Sequence, residues 1–104
     1  MHKQDPSIAE MTQMSVRVAE LYSQHFGAPR DARFALMKLS EEMGELTGAW
    51  LQLHGQSRGA ANTQDLENEL ADVLGFLLVL AHREGIDPAQ ALSRKWGKYL
   101  NAGA

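Results

Sequence analysis

Apolar residues recur along this chain in steps of three and four, and glycine or proline interrupts that rhythm at only a few places. Ile8, Met11, Val18, Leu21 and Tyr22 fall at helical spacing. Asp5-Pro6 can open this first helix, and Gly27 followed by Pro29 closes it. A second helix is expected from about Arg30 to His54, with Met43, Leu46, Trp50 and Leu53 as its apolar stripe. Residues 55–62, GQSRGAAN, form the one real loop.

The pattern predicts a third helix that starts near Asn62 or Thr63 and stops at Gly85. Leu66, Leu70, Val73, Leu77 and Leu80 make a heptad-like seam, and Leu74, Leu78 and Ala81 run beside it as a second stripe. Two apolar stripes call for partners on two sides. Asp87-Pro88-Ala89-Gln90 is a start signal for a fourth helix, which carries Leu92, Trp96 and Leu100 on one face. No segment alternates with a period of two, and no Asn-Gly or Asp-Gly turn occurs. The expectation is an all-α fold: a single domain over residues 1–104, as a four-helix, bundle-like protomer with a central antiparallel helical hairpin.

Composition narrows the function classes. With 104 residues and 44% hydrophobic content the core is small, so self-association is expected to complete the bundle. The chain has no cysteine, which excludes a disulfide framework, a thiolate metal site and a cysteine nucleophile. A net charge of −3 argues against a nucleic-acid polymer as partner. No apolar run reaches the ~20 residues of a membrane span, and residues 1–10 lack the apolar core of a secretory signal. A cytoplasmic protein without a membrane partner is expected.

The acids are unevenly placed. Residues 41–72 hold seven of the thirteen, against one base, Arg58. Glu42 and Glu45 lie three apart on one helix face, and Glu69 and Asp72 repeat that spacing on the next helix. Folding the two helices about the loop brings Glu45 level with Asp72. Four carboxylates crowded in this way repel one another or take up protons, and a hard cation removes that cost. Oxygen-only ligands suit Mg²⁺, with Mn²⁺ as a substitute. The bland alternative is a solvated acidic face. A di-iron site needs His three residues after Glu; none of His2, His25, His54 and His82 has that offset.

The strings Lys38-Leu39-Ser40-Glu41-Glu42-Met43-Gly44-Glu45-Leu46, Glu69-Leu70-Ala71-Asp72-Val73-Leu74 and Gly85-Ile86-Asp87-Pro88, with Lys95, resemble the MazG-like nucleoside triphosphate pyrophosphohydrolases. The resemblance spans roughly residues 30–98. It implies Mg²⁺-dependent hydrolysis of a (deoxy)nucleoside triphosphate between the α and β phosphorus, giving monophosphate and pyrophosphate, by a dimer or tetramer. Glu42, Glu45, Glu69 and Asp72 match the metal-ligand carboxylates; Glu41 matches an additional acid that binds metal or orients the attacking water. Lys38 also fits the pattern. Cationic side chains must offset the charge that develops on the phosphates, and Arg94, Lys95 and Lys98 on the fourth helix are the expected ones. The sequence departs from the family's K-x-x-x-N: Tyr99 stands four residues after Lys95, and either Asn101 substitutes or Tyr99 contacts the nucleotide differently.

Several residues have plainer readings. Gly44 and Gly48 inside the second helix cost about 1 kcal/mol each relative to Ala; close approach of a neighbouring helix is the expected reason, with direct room for a phosphate as the lesser alternative. Trp50 and the methionines Met11, Met14, Met37 and Met43 read as core. His54 reads as a polar helix end, and Arg58 as a loop cation open to substrate or solvent. The rival to an enzyme is a catalytically silent helical dimerisation module that keeps its acids as a metal-stabilised or solvated surface.

Overall fold

A computed structural model of the chain describes residues 4–101, and the backbone alone of Asn101. His2 and the side chain of Asn101 lie outside the described residues. The order is α1 (Ile8–Phe26), α2 (Ala32–Leu53), α3 (Thr63–Arg83), α4 (Pro88–Trp96) and the short α5 (Lys98–Asn101). The all-α expectation holds, and no strand occurs among the described residues.

Local chemistry sets the helix ends. Ser7, rather than Asp5-Pro6, caps α1: its hydroxyl accepts from Glu10 N at 3.1 Å, and its own N–H donates to Glu10 Oε1 at 2.9 Å. That reciprocal pair satisfies two orphan donors of the first turn. Gly27, at φ 71°, ends the helix in the left-handed region that glycine adopts without strain. Asp31 caps α2 through Phe34 N, so α2 starts two residues after Arg30. Asn62 and Asp65 form a second capping box at α3. Asp87 caps α4 with Pro88 in its first turn, as its sequence signal foretold.

The expected continuous fourth helix is instead broken at Gly97, between α4 and α5. There the Gly97 N–H donates to Ser93 O at 2.8 Å, and Leu100 N closes a tighter bond onto Gly97 O at 3.1 Å. A Cβ at position 97 would run into the Ser93 carbonyl.

α3 is the central element, packed most extensively against α2 and also against α1. α3 thus has partners on two sides, but its stripes are only partly covered: Leu70 and Leu77 of the seam and Leu74 of the second stripe stay exposed. The buried centre is made of small side chains: Ala19, Ala35 and Val79, with Leu80 packed beside them. Among the described residues no large side chain is fully buried, and eighteen large hydrophobics are exposed. The radius of gyration is 16.4 Å, against roughly 13 Å for a compact domain of 100 residues.

Two core expectations are corrected by this geometry. Trp50 is 48% exposed and Met37 66%, with Met14 and Met43 also exposed. Met14 lies at the open hollow between α1 and α3, and the Trp50 ring packs on His54 with centroids 4.2 Å apart. Apart from α2's own backbone, no atom of the described residues lies within 4 Å of where a Cβ would stand at Gly44 or Gly48, so close approach by another helix of the protomer is not the reason for either.

Candidate metal centre

The antiparallel register of α2 and α3 brings the two carboxylate pairs together. Glu41, Glu42 and Glu45 offer oxygens that lie within 4.8 Å of one another, and so do Glu42, Glu69 and Asp72. Glu42 belongs to both groups, and only 7% of it is exposed. Its neighbours grade outward: Glu69 is partly buried, while Glu41, Glu45 and Asp72 are open to solvent.

Glu42 Oε2 and Glu69 Oε2 are buried and meet no hydrogen-bond donor. A buried acceptor without a partner costs on the order of 1–3 kcal/mol, more when charged. Burial, a carboxyl–carboxyl contact with Glu45 and the charges of Glu45 and Asp72 push the Glu42 carboxyl up to about 7, with Lys38 opposing. Glu69 is also pushed up, first by burial and then by the charges of Glu45 and Asp72. Two carboxylates can hydrogen-bond each other only by sharing a proton, so without a cation this cluster is proton-hungry. Oxygen donors from three or more carboxylates, with buried lone pairs unspent, suit a hard divalent cation.

Lys38 sits on the same face of α2. Its Nζ is 2.9 Å from Glu41 Oε1 and 3.8 Å from Glu42 Oε1. The Glu41 hydrogen bond and the surrounding carboxylates hold its ammonium above the usual lysine range. One cation therefore stands against five acids.

The structure does not bring the other expected cations here. α4 packs chiefly on α5, and Arg94, Lys95 and Lys98 are exposed on that pair. No ion pair links them to the cluster among the described residues, and the Lys98 ammonium instead lies 5.3 Å from the Tyr99 ring centroid. Packed chiefly on α5 among the described residues, α4 does not bring them to the cluster.

A cavity of about 460 Å³ opens from the cluster toward α1. Lys38, Glu42 and Asp72 line one end, and Tyr22, Arg30 and Phe76 are among its other walls. A second hollow of about 470 Å³ borders Glu45, Gly48, Asp65 and Glu69 on the loop side. The first cavity was not foreseen from the sequence. Arg30 there read as a helix start and Tyr22 as stripe. Phe34 and Phe76 follow Arg30 and Asp72 by four residues, a spacing that puts each aromatic on the face of its polar partner.

A comparison of the chain with models of known protein families finds none that matches. No curated protein and no solved structure matches it either.

Proposed function

We propose that this chain is a Mg²⁺-dependent nucleoside triphosphate pyrophosphohydrolase of the MazG-like kind, with Mn²⁺ able to replace Mg²⁺. The observation that carries this reading is the pair of buried, unpartnered oxygens on Glu42 and Glu69 within converged carboxylates. A cluster that served only as a solvated face would keep its acids in water; this one buries two acceptors where donors are absent.

Glu42, Glu45, Glu69 and Asp72 would hold the metal, with Glu42 common to both carboxylate groups. The bound cation supplies neutralisation of phosphate charge and a more acidic water. Glu41, exposed and paired with Lys38, would orient or deprotonate the attacking water. Lys38 limits repulsion among the acids and offers a donor at the cavity wall. The cavity beside the cluster would hold the rest of the nucleotide. Positioning and electrostatics are what phosphoryl transfer demands of a protein.

The functional unit is a homo-oligomer, a dimer or tetramer. Its support is the exposed apolar surface of α1–α4 and the expanded single chain. An oligomer also offers Arg94, Lys95 and Lys98 a route to a cluster that their own chain does not give them.

The test is pyrophosphate release from a panel of canonical and modified NTPs and dNTPs, with and without Mg²⁺. Metal-dependent release establishes the reaction. A folded, oligomeric sample silent across the panel returns the chain to the dimerisation module, whose acids serve stability alone.

A further inference from the structure

Arg30 is fixed more firmly than an exposed loop cation has reason to be. Its N–H donates to Ser23 Oγ at 3.0 Å, and its carbonyl accepts from Arg83 Nε at 3.3 Å. Its guanidinium lies 4.6 Å from the Tyr22 ring centroid and 4.5 Å from that of Phe34. Cation–π contacts on two rings hold the planar fork in place while leaving its N–H edge unspent. No carboxylate pairs with it among the described residues.

The aromatic wall continues from there to the carboxylates. Phe34 and Phe76 have centroids 6.4 Å apart, and Lys38 Nζ lies 5.8 Å from the Phe76 centroid. Arg30 and the buried Glu42 thus mark two ends of one cavity. Glu42 lies roughly 15 Å along the α2 axis from the helix's first residue, Ala32, at 1.5 Å per residue, and Arg30 precedes that residue by two. A cavity of about 460 Å³ is within the range of small-molecule sites. An apolar, aromatic chamber with a charged, metal-grade end has the polarity of a nucleotide: flat base at one end, phosphates at the other.

We infer that Arg30 is a specificity-determining residue, reading the base of the nucleotide and selecting a 6-oxopurine such as guanine or hypoxanthine. This rests on the nucleotide reading above. A guanidinium fork presents two parallel donors, and the O6 and N7 of a 6-oxopurine present two adjacent acceptors in the same plane. Adenine offers an amino donor in place of O6 and meets the fork with a clash of donors. The Ser15 hydroxyl, also on the cavity wall, can serve a further polar atom. Phe76, on the cavity wall, offers the base an apolar face.

The experiment has two arms on the full-length protein with Mg²⁺. Calorimetry reads binding of dGMP, dIMP, dAMP and dCMP; pyrophosphate release reads kcat and KM for the matching triphosphates. The wild type is expected to favour guanine and hypoxanthine over adenine by about ten- to hundred-fold in both arms. Arg30→Met and Arg30→Lys are expected to lose that ranking, with the loss in affinity and KM rather than kcat; the lysine keeps the charge but not the fork. Tyr22→Leu, which removes one of the two rings that hold the guanidinium, serves as a second variant should Arg30→Met fail to fold, and is expected to narrow the preference for guanine and hypoxanthine. A ranking unchanged in Arg30→Lys overturns the inference. So does an equal loss for every base in Arg30→Met, which would place the guanidinium on the phosphates, and so does a wild type that favours dCMP. If dGMP is bound selectively through Arg30 but no triphosphate is cleaved, the base assignment stands and the hydrolytic reading falls. Cleavage without base preference does the reverse.

Discussion

The ammonium of Lys38 lies 3.8 Å from Glu42 Oε1, while Glu42 Oε2, buried, meets no donor. One oxygen is served and the other is kept free. Replacing Glu42 by Gln removes a charge and supplies two N–H donors to neighbouring carboxylates. Without metal, Glu42→Gln is therefore expected to be more stable than wild type at pH 8, by on the order of 1 kcal/mol, or roughly 4–8 °C in Tm. The same variant is expected to lose both the Mg²⁺-dependent rise in Tm and pyrophosphate release. Thermal melts with and without Mg²⁺ check both halves. A Glu42→Gln protein that melts lower than wild type in EDTA would mean the carboxylate is structural.

The pH dependence of stability has a definite sign. The Glu42 carboxyl is at about 7 in the folded chain against 4.5 unfolded, and Glu69 is displaced in the same direction. Between those values the folded state binds more protons than the unfolded, so stability falls as pH rises. The metal-free protein is expected to lose Tm from about pH 4.5 to pH 7 and then level off. Below that window Glu10, held low by its Ser7 hydrogen bonds, pulls the other way. With saturating Mg²⁺ the decline is expected to flatten or reverse, because the cation binds the charged carboxylates. Melts across pH 4 to 8 in EDTA and in Mg²⁺ read this directly; a metal-free profile that rises through pH 6 would contradict it.

The helical architecture and the carboxylate cluster were legible because both depend on local spacing. Glu42 with Glu45, and Glu69 with Asp72, share faces by helical geometry alone, and the single loop fixes the antiparallel register. The cavity was not legible, since it exists only where α1 packs on α3 and Arg30 folds between Tyr22 and Phe34. Nor was the isolation of α4. An amphipathic pattern such as Leu92, Trp96 and Leu100 says that a face wants cover, not which chain supplies it. Trp50 shows the same limit: its stripe was correctly helical, yet it faces outward in the protomer.

Lys95 gives a prediction that separates binding of metal from binding of phosphate. α4 packs chiefly on α5, away from the carboxylates, so Lys95→Ala is expected to leave the Mg²⁺-induced rise in Tm within about 1 °C of wild type. Surface substitutions of this kind change stability by at most about 0.5 kcal/mol. The KM for the triphosphate is expected to rise about tenfold, in line with the loss of one charge-assisted contact. Kinetics on the preferred nucleotide, beside metal-dependent melts, check it. An unchanged KM would remove Lys95 from the phosphate-binding set.

Gly44 and Gly48 test how copies of the chain meet. Among the described residues nothing outside α2's own backbone lies within 4 Å of either Cβ position, so alanine there brings only its helix propensity, worth about 1 kcal/mol per site. A face left smooth at that cost, four residues apart on α2 and beside exposed Met37 and Met43, is suited to close approach by a helix of a second copy. Light scattering is expected to give a dimer or tetramer for the wild type. Gly44→Leu is expected to shift that population toward monomer, since a bulky side chain would hold the helices apart. Gly44→Ala in the dissociated chain is expected to raise helix stability, because no intrachain contact opposes it. A wild type that runs as a monomer at high micromolar concentration, or a Gly44→Leu protein with its assembly intact, would place the interface elsewhere on the exposed apolar surface.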